Sequence, residues 1–107
     1  MNVTKVSVTE KHIAEGRACS GSECPIALAV LEALAAEGVK VARVMVDSYD
    51  VAVEQSDAAG QRKFRADLPG HATAFVGAFD EPVDSDLRSA EDIAPFEMEL
   101  AWQELAS

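Results

Sequence analysis

The chain has 107 residues, enough for one domain with its own core, and 49% of them are hydrophobic, which excludes wholesale disorder. Asp plus Glu total 19 against 9 for Lys plus Arg, a net charge of −10, which excludes direct nucleic-acid binding and attraction to an anionic membrane surface. The chain lacks the run of about 18 apolar residues that a spanning helix needs. Its first residues lack the basic-then-apolar pattern of a secretion signal, so its two cysteines point to free thiols in a reducing cytoplasm.

Taken in chain order, Val3, Val6 and Val8, interrupted by Lys5 and Ser7, predict a short half-buried strand. Thr9 stands where a helix N-cap belongs and Glu10 is a favourable first-turn acid, so a short helix is expected over Glu10–Glu15 and ends at Gly16. Arg17 to Glu23 reads as a loop. Pro25 suits the first helical position, which makes Cys24 the N-cap, with Ser22 as the competing cap. Ile26, Ala27, Val30, Leu31, Leu34 and Ala35 recur at helical spacing up to Gly38, and this near-continuous apolar character predicts a central helix.

Val39, Val41, Val44 and Val46 predict a strand whose change of parity implies a bulge. Asp47-Ser48 signals a turn, and Tyr49, Val51 and Val53 complete a hairpin. Gln55–Gly60 reads as polar loop. Arg62-Lys63-Phe64-Arg65 is the one basic cluster and reads as a short edge strand. Pro69 opens a helix carrying Ala72, Phe75, Val76 and Phe79 at helical spacing, Asp80–Asp92 reads as an acidic stretch with a helical turn from Ser85, and Phe96, Met98, Leu100 and Trp102 give the cleanest strand signal. The expected fold class is α+β: a compact single domain over residues 1–107, with a mostly antiparallel sheet of about four to five short strands and two main helices on one face.

Both cysteines lie in Cys19-Ser20-Gly21-Ser22-Glu23-Cys24, directly before the central helix. A cysteine there faces the positive end of the helix dipole, which favours its thiolate. The four-residue gap is not the two-residue gap of a redox dithiol. Cys19, Cys24, His12 and His71 together are a candidate zinc set, since two Cys and two His are the strongest such ligands in the chain. The competing reading makes Cys24 a small buried cap and Cys19 an ordinary loop residue. Cys24 with His12 as base is the nucleophilic alternative, against which a histidine on a short surface helix is simply solvated. The Ser20-Gly21-Ser22 loop could cradle an anion, but it lacks the lysine and glycines of a phosphate loop. The cluster Arg62, Lys63 and Arg65 either meets a phosphate or, more simply, balances local charge.

Charge is unevenly placed. Residues 78–107 hold 9 acids and one base, Arg88, a net of −8. Asp80, Glu81, Asp84, Asp86, Glu97 and Glu99 are therefore candidate partner-binding residues for a basic surface, with plain solubility as the simpler account. A calcium loop from Asp80 is only a partial match, because Pro82 sits where a ligand belongs.

The runs Val8-Thr9-Glu10-Lys11-His12-Ile13-Ala14-Glu15-Gly16 and Cys24-Pro25-Ile26-Ala27-Leu28-Ala29, with Leu68-Pro69, Phe75-Val76, Phe79-Asp80 and Pro95-Phe96-Glu97-Met98-Glu99-Leu100, resemble a group of small uncharacterised proteins of bacteriophages and their hosts, notably actinobacteria. The resemblance spans most of the chain except Asp84–Ala94, which is longer here. Members often carry a closer cysteine pair, so Cys19 looks displaced. It implies no activity; it implies a cytoplasmic accessory protein, acting in the host cytoplasm if phage-encoded. The expected function is non-enzymatic, host-modulating binding of a host protein's basic surface through the acidic C-terminal region. The alternatives are a cysteine-dependent site, with zinc or a reactive thiol, and a small-ligand binder at the Ser20–Cys24 loop. The Phe96–Trp102 strand could also pair between two copies as a homodimer.

Overall fold

A computed structural model describes residues 2–57, 60–80 and 93–105. The elements are β1 (Val3–Val8), α1 (Glu10–Glu15), α2 (Pro25–Ala36), β2 (Val41–Val46), β3 (Asp50–Asp57), β4 (Gly60–Asp67), α3 (Gly70–Asp80), β5 (Phe96–Ala101) and β6 (Gln103–Leu105). They form an α+β fold with two antiparallel sheets, one of β1 and β5, the other in the order β2-β3-β4-β6. No helix among the described residues is long and apolar enough to cross a membrane.

Period-two sequence patterns produce the sheets. In β1, Thr4, Val6 and Val8 are buried and face Leu100, Met98 and Phe96 of β5 in register. Glu97 and Glu99 stand on the solvent side, as the alternation requires. In the larger sheet, Val44 and Val46 lie opposite Val53 and Val51, which lie opposite Phe64 and Ala66. All six are buried, so one face of this sheet lines the core. The expected bulge falls between Val41 and Arg43.

The two sheets are joined where β5 of one runs on into β6 of the other. Trp102 separates β5 from β6, so the chain leaves β1 and continues along β4 with Lys63 opposite Leu105. Trp102 anchors this crossing twice. Its backbone N–H donates to the Asn2 carbonyl at 2.8 Å, and its indole N–H donates to Thr4 Oγ1 at 2.9 Å.

α2 packs against β1, β2 and α1. Pro25, Ile26, Ala27, Ala29, Val30 and Leu34 are buried on it, which accounts for its almost uniformly apolar sequence. Gly38, at φ +79, takes the left-handed conformation that ends the helix. α3 buries Ala72, Phe75, Ala78 and Phe79 on its inner side.

Three expectations need correction. Gln55–Gly60 is not a loop: β3 runs to Asp57, opposite Gly60 at the start of β4. The basic cluster is not an edge strand either, since β4 spans eight residues between β3 and β6. Its charged outer face is tolerated because carboxylates on neighbouring strands meet it. Tyr49 lies in the turn rather than the strand, where Asp47 N–H donates to the Asp50 carbonyl. The helical turn expected from Ser85 and the calcium-loop positions beyond Asp80 lie outside the described residues.

Candidate functional site

The loop before α2 is built by short-range hydrogen bonds. Ser20 Oγ accepts from Glu23 N–H, the Ser20 carbonyl accepts from Cys24 N–H, and the Glu23 carbonyl accepts from Arg17 N–H. Ser20, not Ser22, therefore organises the turn. Cys24 is the N-cap: its Sγ accepts from Ala27 N–H at 3.4 Å. The loop then docks on the edge of β2, where the Gly21 carbonyl accepts from Val46 N–H at 2.7 Å. A Cβ at Gly21 would meet the flexible end of Met45 and lie 3.0 Å from the Val46 carbonyl, so glycine eases this close approach.

Cys19 takes φ +58, a left-handed conformation that costs a non-glycine residue about 1–3 kcal/mol. That conformation aims its N–H at Asp80 Oδ1, 2.7 Å away, and brings its Sγ to 3.6 Å from the Asp80 carbonyl. Asp80 ends α3, where the helix dipole disfavours a carboxylate, and the last turn carries no base. The loop, the β2–β3 turn and the end of α3 enclose a cavity of about 280 Å³. Ile26, Phe75 and Phe79 supply its apolar wall, and Asp47 and Asp80 its charge.

No protein-family model, curated protein or solved structure matches the chain.

Burial pushes the Cys24 thiol up from its ordinary range, against the smaller opposing effect of the Ala27 and Ile26 amides, and the Asp80 charge adds to the rise. The helix start does not activate this thiol, contrary to the expectation from the dipole, because desolvation outweighs it. Both cysteines are free; Cys19 is exposed and Cys24 buried.

The candidate zinc set does not assemble. Cys19 and Cys24 share the cavity, whereas His71 lines a separate groove with Pro69, Glu97 and Glu99. His71 Nε2 donates to the Glu97 carbonyl at 2.9 Å, and its ring packs edge-on against Phe96. His12 is engaged elsewhere, and among the described residues no group of three or more His, Cys, Asp or Glu could hold a metal ion.

His12 is only 4% exposed, which overturns the solvated reading. Its Nδ1 accepts from Thr9 N–H at 3.0 Å, and its own N–H donates to Thr9 Oγ1. This is a capping box with histidine in place of the usual Glu or Gln. With Nδ1 accepting, the proton sits on Nε2 and is donated to Glu32 Oε2 at 2.6 Å. Thr9, His12 and Glu32 thus have the connectivity of a nucleophile, base and orienting acid. The Thr9 amide occupies the nitrogen a base would need, so the arrangement holds α1 against α2. Thr9 was legible as the cap, but neither His12 as its reciprocal partner nor Glu32, twenty residues on, was.

The basic cluster is neutralised from within the sheet. Arg62 pairs with Glu104 at 2.7 Å, Lys63 with Glu54 at 3.8 Å, and Arg65 with Asp50 at 2.7 Å and Asp67 at 2.8 Å. The hydrogen bond from Arg62 holds the Glu104 carboxyl below its ordinary range, and the bonds that Arg65 donates to Asp50 and Asp67 hold the guanidinium in its charged form. Of the candidate partner-binding acids, Asp80 faces the Cys19 loop and Glu97 and Glu99 stand exposed on β5. Glu81, Asp84 and Asp86 lie outside the described residues.

Proposed function

We propose that this chain works by binding, with its acidic surface engaging a basic surface on a partner protein. The observation that carries this reading is the division of charge. Each residue of the basic cluster is paired within the chain, whereas Asp47, Asp80, Glu97 and Glu99 have no cation partner among the described residues. A phosphate-bearing ligand at Arg62–Arg65 would have to displace four carboxylates. A cation approaching the acids displaces none. On the sequence resemblance alone, the setting we propose is that of a phage-related accessory or host-modulating protein in the host cytoplasm.

The test is capture of partners from lysate by the immobilised chain, with elution from about 0.05 to about 0.5 M salt, a range that shortens the screening length several-fold. Release with salt, and loss of capture by a Glu97→Lys/Glu99→Lys variant, are expected. Capture indifferent to both would end the proposal.

A further inference from the structure

We propose that the cavity between the Cys19–Cys24 loop, the β2–β3 turn and the end of α3 receives a lysine or arginine side chain of a protein partner. The inference rests on the binding reading above and names where the partner is anchored. At about 280 Å³ the cavity falls at the lower limit of ligand sites, which commonly run from about 300 to 1,000 Å³, so it suits one side chain and not a cofactor. Its wall and rim match such a side chain in two zones. Met45 and Val76, the more exposed apolar residues of its lining, offer surface for a methylene stem. Asp80 and Asp47 offer carboxylates for the head, and no Lys, Arg or His is among the described residues lining the cavity.

Asp80 is also placed to meet a cation. It stands half-buried at the negative end of α3, where a carboxylate is unfavourable. One oxygen is fixed by the N–H of Cys19, which adopts a left-handed conformation to reach it. The other has no partner among the described residues. A cation placed there offsets both the dipole and the charge of Asp47. An anion is repelled, and a purely apolar group leaves the carboxylates without a counter-charge. So small a site binds an isolated side chain weakly, so its natural role is as an anchor within a wider acidic interface.

The test is an amide-resolved NMR titration of the full chain with three capped tripeptides, Gly-X-Gly, in which X is lysine, arginine or the neutral isostere norleucine. Saturable shifts at Cys19, Gly21, Val46 and Asp80 are expected with the two charged peptides. Asp80→Asn should weaken them about fivefold or more, as loss of a charge-assisted hydrogen bond does. Should Asp80→Asn not fold, Asp47→Asn serves, because no side-chain bond is made by Asp47 among the described residues; it should weaken both charged peptides. Equal binding of norleucine would overturn the assignment by leaving only an apolar pocket. Binding of free n-butylamine as tight as that of the lysine peptide would give the site to a small amine instead. Absence of shifts in the cavity alongside salt-sensitive capture would sink the anchor and spare the binding reading. Shifts in the cavity without such capture would do the reverse.

Discussion

Cys24 shows how burial sets the chemistry of a single residue. Its thiol keeps its proton in the folded chain at pH values where an unfolded thiol, with a pKa of about 8.5, gives it up. The folded state then binds more protons than the unfolded one. This contribution is complete below about pH 8.5 and is lost as pH rises through the folded thiol's titration. Urea midpoints should therefore fall more steeply above that pH for the parent chain than for Cys24→Ala; identical slopes would refute the shift. In native protein iodoacetamide should label exposed Cys19 well before buried Cys24, with the difference abolished in urea. Gly16 carries a different constraint. Its φ of −73 suits any residue, so the left-handed role expected of a glycine at a helix end does not apply. A Cβ there would lie 2.5 Å from Pro25 Cδ and 2.6 Å from Pro25 N. Gly16→Ala should cost about 1–3 kcal/mol in urea unfolding, the usual range for overpacking. A neutral result would mean that the chain between α1 and α2 yields. The sequence shows where these residues lie along the chain. It does not show that Pro25 folds back on Gly16 or that Glu32 reaches His12, because both facts depend on how two helices pack.

Among the elements, those with one buried side were legible and those stabilised by partners across the sheet were not. α2, α3 and β5 each carry an apolar pattern that burial in the core explains, and β1 carries one broken only by the buried Thr4. β4 has only Phe64 and Ala66 on its buried side, so from sequence its basic stretch reads as no more than a short edge strand. Its strand character comes from backbone pairing with β3 and β6, whose Glu54, Asp50 and Glu104 also meet its cations, and local pattern cannot supply either. The passage from β5 to β6 was hidden for a similar reason, since one continuous alternation serves two sheets. Thr4 is central to that crossing. It is 2% exposed, its hydroxyl accepts from the Trp102 indole, and it donates to Glu37 at 3.1 Å. Thr4→Val preserves shape but leaves the indole N–H without an acceptor, at a cost of about 1–3 kcal/mol. The loss should appear in urea unfolding followed by the fluorescence of Trp102, the single tryptophan. Unchanged stability would show that the indole finds another acceptor.

At the scale of the whole molecule, a net charge of −10 acts on a body with a radius of gyration of 13.8 Å. Charges separate by more than a screening length at physiological salt, where that length is about 8 Å, but not at about 0.01 M, where it reaches about 30 Å. Two electrostatic contributions then respond in opposite directions. Added salt weakens the ion pairs of β4, which are exposed enough to be worth little individually. It also relieves the mutual repulsion of the excess acids, which every described carboxylate feels and which opposes compaction. The excess is large and the pairs are few, so repulsion should dominate. Raising salt from about 0.01 to about 0.15 M should increase the melting temperature by several degrees, since about 1 kcal/mol corresponds to about 4–8 °C in a domain of this size. A melting temperature that falls with salt would show that the β4 pairs outweigh the acidic excess. The charge division behind the proposed binding surface would then need a different explanation. The same acids that attract a basic partner thus weaken the free chain, and binding that partner should raise the melting temperature most at low salt.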